Sequence, residues 1–142
     1  MKNKKVIKFY LLFIFFSFVI NTLIEALVIQ LGIVNYTVYP KFLGISWFTY
    51  LLYFPWILTT YLGGNFLNKK TKINKYIFYF IIGALFAFCF DLYATTVNLY
   101  FYIFNSIFYI AQVPLEDFFA VGFMITISVS ISDYLTKKII KF

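Results

Sequence analysis

Four long apolar runs divide the chain, and short polar or lysine-rich connectors separate them. Each run has about 20 residues or more, the length that an α-helix needs to cross the hydrocarbon core of a bilayer. The runs lie near residues 6–31, 45–67, 76–104 and 114–136. This pattern predicts an all-α polytopic membrane protein with four transmembrane helices, in which residues 1–142 form a single integral membrane domain.

The lysines fall into three clusters that four spans would place on one side of the membrane. The middle connector is short and basic (NKKTKINK), whereas the connector before it contains Lys41 alone and the one after it contains no lysine. Cytoplasmic loops of membrane proteins are enriched in basic residues. We therefore predict a cell-membrane protein with both its N- and C-termini in the cytoplasm. The clusters are Lys2, Lys4, Lys5 and Lys8, then Lys69, Lys70, Lys72 and Lys75, then Lys137, Lys138 and Lys141.

The composition excludes several classes of protein. The chain is 63% hydrophobic and 12% charged, whereas soluble domains average about 25% charged residues. The net charge of +7 does not indicate nucleic-acid binding, because the lysines lie between apolar runs. With no histidine and one cysteine, Cys89, the chain has no ligand set for zinc, haem or an iron–sulfur cluster, and we predict no cofactor. The first run is too long for a signal peptide and lacks a small-residue cleavage site, so we expect it to be retained.

Acidic residues are few, and most of them fall within the apolar runs. Asp133 precedes Lys137 by one helical turn, which predicts an ion pair near a helix end. At a rise of about 1.5 Å per residue, the other four acids reach similar depths in the outer half of the bilayer. Carboxylates within a membrane are costly and usually face the interior of a helical bundle, where they serve function. These four are Glu25, Asp91, Glu116 and Asp117.

Helix capping offers a second explanation for two of these acids. Glu116 and Asp117 follow Pro114 at the start of the fourth run, where carboxylates accept free N–H groups and complement the helix dipole. Asp91 lies in the middle of the third run, so capping does not explain it, and a functional or polar-network role is the stronger hypothesis there.

The two halves of the chain have similar patterns. Glu25 precedes Tyr36 by eleven residues, and Asp91 precedes Tyr102 by the same interval. Each pair joins an apolar run to an outer connector, and a second apolar run follows. Because both halves would start on the inside, the pattern predicts a tandem repeat of two helical hairpins, an arrangement that often places a binding site between the repeats.

Two stretches resemble known families. FDLYATTVNLYFYIFN followed by VPLEDFFAVGF resembles the membrane lycopene cyclase domains of the heterodimeric or fusion type, in which Pro-x-Glu-Glu/Asp leads into a phenylalanine-rich helix. The matching positions are Asp91, Tyr102, Phe104, Asn105, Pro114, Glu116, Asp117, Phe118 and Phe119. IEALVIQLGIVNYTVYPKFLGISWF is similar to the related carotenoid hydratases of the bisanhydrobacterioruberin type, with Glu25, Gly32, Tyr36, Pro40, Lys41 and Gly44 in matching order.

The resemblance implies acid-catalysed chemistry on an isoprenoid or carotenoid substrate. A protonated carboxyl group would protonate a terminal alkene, and the carbocation would close a ring (an isomerase) or capture water (a hydratase). On this hypothesis Glu116 donates the proton, Asp117 or Asp91 is its partner, and Glu25 is the matching acid of the first half. The resemblance also implies a homodimer or a second cyclase-type subunit as partner, besides the lipid bilayer and the substrate. The candidate substrate-binding residues are Pro114, Tyr102, Asn105, Tyr36 and Trp47.

Two alternatives stay open from the sequence. Intramembrane acids also suit a small ion- or proton-coupled transporter, which would need a water-accessible path to Asp91. The chain could instead be a non-catalytic membrane subunit. The enzyme hypothesis predicts an apolar cleft with the acids at its closed end.

Overall fold

The computed structural model describes residues 2–103, 106, 108–110 and 112–140, which are mostly helical. The helices over these residues are α1 (Lys2–Gln30), α2 (Trp47–Thr71), α3 (Lys75–Thr96) and α4 (Leu115–Ile140). Short strands occupy the connectors: β1 (Val34–Tyr36), β2 (Lys41–Phe42), β3 (Ile45–Ser46), β4 (Tyr100–Tyr102), β5 (Tyr109–Ile110) and β6 (Val113–Pro114). The all-α prediction missed these strands, because two or three residues are too few to establish a strand period.

Three of the helices are long and apolar enough to span a membrane: Lys4–Gln30 within α1, Lys75–Thr96 and Leu115–Ile140. α2 has 25 residues but is not among them. Its sequence contains Pro55, two glycines and several hydroxyl side chains, which dilute its apolar character. The fourth span and the location of the termini therefore stay predictions.

The third predicted segment, residues 76–104, is longer than the helix that the structure contains. α3 ends at Thr96, and the apolar residues beyond it continue into β4. The hydroxyl groups of Thr95 and Thr96 donate back to carbonyls of their own helix, at 2.7 Å and 2.6 Å, as the helix ends. Hydropathy alone does not separate a buried strand from the end of a buried helix, which explains the wrong boundary.

The two halves share one order of elements: a long helix, a single strand, a two-stranded hairpin and a second helix. The ends of α1 and α3 also match, because Gly32 (φ 72°) and Asn98 (φ 55°) both adopt the left-handed conformation that closes helices. The closing hydrogen bonds are Ile33 N to Val28 O at 3.2 Å and Leu99 N to Ala94 O at 2.8 Å.

An antiparallel pairing of β1 with β4 joins the two halves. Asn35 lies opposite Phe101 at its centre, and Tyr36 lies opposite Tyr100. The single strand of each half therefore meets its counterpart about an approximate two-fold axis. Two helix contacts follow the same relation, since α1 packs against α4 and α2 packs against α3, whereas α3 packs much more extensively against α4 than α1 does against α2.

Close contacts and one ion cluster hold the helices together. A Cβ atom on Gly83 of α3 would lie 2.0 Å from Ile125 Cγ2, so only glycine allows α3 and α4 to approach this closely. The Asp133 carboxylate accepts hydrogen bonds from Lys75 at 3.1 Å, Lys137 at 2.7 Å and Tyr61 at 3.0 Å. The predicted Asp133–Lys137 pair is thus confirmed, and the cluster joins α2, α3 and α4 at the end of the bundle opposite the strands.

Candidate active site

A cavity of about 580 Å³ lies between the helices, beneath the β1·β4 pair. Its volume falls within the range of about 300–1,000 Å³ that small-molecule sites usually have. All four helices and both strands contribute to its wall, which is predominantly apolar. The apolar lining includes Ile24, Val28, Leu52, Trp56, Phe86, Phe90, Val121 and Met124.

All four intramembrane acids predicted from the sequence line this cavity. They differ in exposure: Asp91 is 6% exposed, Glu25 and Asp117 are half-buried, and Glu116 is exposed. The structure thus brings together acids that lie up to 92 residues apart in sequence, from Glu25 to Asp117. Their catalytic roles stay predictions.

A tyrosine hydroxyl donates to each of the three less exposed carboxyl groups. Tyr36 Oη lies 2.8 Å from Glu25 Oε1, and Tyr102 Oη lies 2.9 Å from Asp117 Oδ2. Tyr100 donates to Asp91. These phenols come from the paired strands β1 and β4, so the strand register fixes which phenol reaches which acid.

Burial suits these phenols to act as donors. It raises the pKa of Tyr36 and of Tyr100 well above the ordinary value for tyrosine, and the negative charges of Glu25 and Asp91 raise them further. The pKa of Tyr102 is raised in the same way, by burial and then by Asp91 and Asp117. All three side chains therefore keep their protons at neutral pH.

Asp91 and Asp117 both line the cavity, and their carboxyl groups are near enough to interact electrostatically. Two ionised carboxylates repel each other, so this proximity is favourable when one of the pair carries a proton. No lysine lines the cavity within the described part of the chain. Lys41, the basic residue that the sequence places on the outer side, has its ammonium group over the ring of Tyr39, 4.6 Å from the ring centroid. A shared proton is thus the local way to relieve the repulsion between the two acids.

Aromatic side chains form the wall farther from the strands. The rings of Trp56 and Phe86 stack at a centroid separation of 6.4 Å with planes 11° apart. The indole N–H of Trp56 donates to Gly83 O at 3.0 Å, which fixes the plane of the ring. The cavity therefore has a carboxyl end beneath the strands and an aromatic end deeper among the helices.

The remaining side chains predicted for the site lie elsewhere or outside the described residues. Glu116 accepts a hydrogen bond from the hydroxyl of Ser106 at the rim of the cavity. Pro114 is buried in β6 and does not line the cavity. Trp47 is 56% exposed and packs against Tyr50, also away from it. Asn105 lies outside the described residues.

Sequence reasoning missed Tyr100, the donor to Asp91. Tyr100 and Tyr102 are two residues apart and therefore point to the same face of a strand. Assigning residues 100–102 to a strand rather than to the end of a helix would have found both phenols together.

Comparisons of the chain with protein-family models, with curated proteins and with solved structures find no match. Among the described residues, no group of three or more His, Cys, Asp or Glu side chains is arranged to hold a metal ion. The candidate function consequently depends on the geometry of the cavity and on the resemblance described above.

Proposed function

We propose that this chain is a four-span protein of the cell membrane that cyclises or hydrates an isoprenoid polyene, such as a carotenoid, by acid catalysis. The observation that supports this best is the pairing of Asp91 with Asp117 at one end of an apolar, aromatic-lined cavity. Such a pair can hold a proton beside a hydrocarbon without a metal or a redox cofactor.

Two features support α2 as the fourth span. Its 25 residues would extend about 37 Å at 1.5 Å per residue, which exceeds the hydrocarbon thickness of about 30 Å. It also packs against α3 and contributes Thr49, Leu52, Tyr53 and Trp56 to the cavity. With four spans, the lysine-rich connector and both termini share one side, which the positive-inside rule assigns to the cytoplasm.

In the proposed reaction, the proton held between Asp91 and Asp117 adds to a terminal carbon–carbon double bond. The π electrons of that bond form the new C–H bond, and a tertiary carbocation remains. The faces of Trp56 and Phe86 stabilise this cation. A neighbouring double bond then attacks it and closes a ring, and loss of a proton to a carboxylate gives a product of unchanged mass. Capture of water followed by proton loss gives a product that is heavier by one water.

Burial and hydrogen bonding assign the acids different roles in this proposal. The Asp91–Asp117 pair is assigned as the donor, because Asp91 is buried and both carboxyl groups line the cavity with a phenol donor each. Glu25 lies in the same cavity with its own phenol donor and is placed to accept the returning proton. Glu116 is exposed at the rim and accepts a hydrogen bond from Ser106. In this proposal it lines the entrance of the cavity and does not donate the proton.

The test is to express the chain in a lycopene-producing bacterium and to analyse its isoprenoids by mass spectrometry. Asp91→Asn and Asp117→Asn should each lower product formation by about 10²–10⁴-fold, the usual contribution of a general acid. Glu116→Gln should retain product. Thr126→Val is the control, because the Thr126 hydroxyl donates to Gly122 O of its own helix and does not line the cavity. Membrane content of each variant is measured alongside.

The outcomes separate the alternatives. Loss of product in Glu116→Gln alone would return the donor role to Glu116. Product at wild-type level in both aspartate variants would contradict acid catalysis by this pair. No product from the wild-type chain, with the protein present in the membrane, would favour a two-chain enzyme, a non-catalytic subunit or proton coupling.

A further inference from the structure

A fully buried amide lies one helical turn from the cavity. Asn21 of α1 is 0% exposed, and neither its amide oxygen nor its amide nitrogen has a hydrogen-bond partner among the described residues. An amide has two donor hydrogens and an acceptor oxygen, and leaving them unpaired in an apolar interior costs free energy. Glu25 follows Asn21 by four residues, so the two side chains lie on the same face of α1.

Asn21 belongs to a row of buried polar side chains between α1 and α4. Each helix places its members four residues apart, and every one of them except Glu25 is 0% exposed. The two rows meet where Ser128 Oγ donates to Ser17 O at 3.2 Å. The hydroxyls of Ser17 and Thr136 are unpartnered, as far as the described residues extend. The row consists of Ser17, Asn21 and Glu25 on α1 and of Ser128, Ser132 and Thr136 on α4.

The spacing along the row suits water. Side chains four residues apart on a helix are separated by about 6 Å. One water molecule with hydrogen bonds of about 2.8–3.0 Å on either side bridges that distance. Buried water usually occupies sites where it satisfies polar groups that otherwise have no partner.

Both ends of the row reach ionisable groups. Glu25 lines the cavity. Thr136 and Ser132 adjoin Asp133, which contacts Lys75 and Lys137 at the opposite end of the bundle. Ser17 and Glu25 are eight residues apart on α1, and Ser128 and Thr136 are eight residues apart on α4, so the row covers about 12 Å of each helix at 1.5 Å per residue. Close helix packing needs only small side chains, and it does not explain an asparagine with an unpaired amide.

We propose that the α1–α4 interface binds a single file of water molecules, along which protons move between the Asp133 cluster and Glu25 in the cavity. Each transfer passes a proton from one hydrogen-bonded oxygen to the next, so no oxidant, reductant or cofactor is involved. The water file requires the fold alone and not the proposed reaction. If the reaction takes place, the file supplies the cavity with protons from the far side of the bundle.

Proton flux into proteoliposomes tests this proposal without any isoprenoid. Purified protein is reconstituted into vesicles that enclose a pH-sensitive dye, and a potassium gradient with valinomycin drives proton entry. Wild-type vesicles should acidify faster than protein-free vesicles. Asn21→Leu places an apolar side chain of similar size in the row and should return the rate to that of protein-free vesicles.

Three further variants keep the test decisive if Asn21→Leu folds poorly. Ser128→Ala removes a hydroxyl at the junction of the two rows and should also reduce the flux. Asn21→Ser keeps a polar group and should retain it. Thr126→Val is the matched control, because the Thr126 hydroxyl donates to Gly122 O of its own helix at 2.7 Å and lies off the row. Each variant is checked for its elution volume on size exclusion before reconstitution.

Wild-type flux equal to that of protein-free vesicles would overturn the proposal, as would wild-type flux in both Asn21→Leu and Ser128→Ala. Failure here is separate from failure of the proposed function. Flux without any cyclised or hydrated product would leave the water file and reject the reaction. Product without flux would reject the water file and leave the proposed reaction.

Discussion

At the scale of single residues, the site depends on a phenol that donates a hydrogen bond to each of the three less exposed carboxyl groups. Tyr36 donates a hydrogen bond to Glu25, Tyr100 donates to Asp91 and Tyr102 donates to Asp117. A neutral donor stabilises a carboxylate without cancelling its charge, so the acids stay available for proton exchange. A lysine in the same place would form an ion pair, which would lower the pKa of the carboxyl group and keep it ionised.

The buried phenols predict how stability depends on alkaline pH. Each has a raised pKa in the folded state, so it keeps its proton where the unfolded chain loses it. Their contribution to stability is complete below the ordinary phenol pKa of about 10 and falls as the pH rises above that value. Thermal unfolding in detergent, followed from about pH 8 to about pH 11, should show this fall.

Tyr36→Phe should make the alkaline loss of stability shallower, because one shifted group has been removed. Tyr134→Phe removes a phenol that is 63% exposed and should leave the wild-type slope unchanged. An equal slope in wild type and Tyr36→Phe would show that Tyr36 ionises alike in the folded and unfolded chains.

At the scale of elements, hydropathy located the helices better than it located their ends. The first, second and fourth runs agree with α1, α2 and α4 to within a few residues, and the third extends past Thr96. The strands have two or three residues each, so neither length nor period could reveal them. The acids of the site were predictable because charge within an apolar run is costly. The β1·β4 pairing joins residues 64 to 68 positions apart and could not be inferred locally.

The matching ends of α1 and α3 predict a test of the repeat. Gly32 has φ 72° and nothing within 4 Å of a Cβ atom built on it, so a substitution there is limited by the backbone alone. Gly32→Val should destabilise the protein by about 1–2 kcal/mol. Gly32→Asn should cost less, because Asn98 adopts the same conformation at the equivalent place. The measurement is the shift of the thermal unfolding midpoint in detergent.

Asn98→Gly is the reciprocal change and should be tolerated. If Gly32→Val and Gly32→Asn lower the midpoint equally, the left-handed turn is not what limits this position. The equivalence of the two helix ends would then lose its support.

At the scale of the whole molecule, charge is divided between the two ends of the bundle. The Asp133 cluster ties the lysine at the start of α3 to the lysine at the end of α4. The other carboxyl groups lie at the strand end, around the cavity. Because most lysines lie at one end of the bundle and most carboxyl groups lie at the other, we predict a single orientation in the membrane, with the lysine-rich end in the cytoplasm.

Single-cysteine labelling tests this orientation and the fourth span. In a Cys89→Ser background, Lys5→Cys and Lys70→Cys should react with a membrane-impermeant reagent only from the cytoplasmic side. Lys41→Cys should react only from the opposite side. Labelling of Lys41→Cys and Lys70→Cys from the same side would show that α2 does not cross the bilayer. Intact and permeabilised cells provide the comparison.

The two-fold relation between the halves has a consequence for how a ligand is oriented. The cavity lies on the axis, and its walls match in pairs: Thr49 with Asp117, Leu52 with Ala120, Tyr53 with Val121 and Trp56 with Met124, each 68 residues apart. For the polyene of the proposed function, a backbone of this symmetry would offer two similar directions of entry. We predict that a few unlike side chains decide between them, and that exchanging Thr49 and Asp117 reverses which end of the polyene meets the acid.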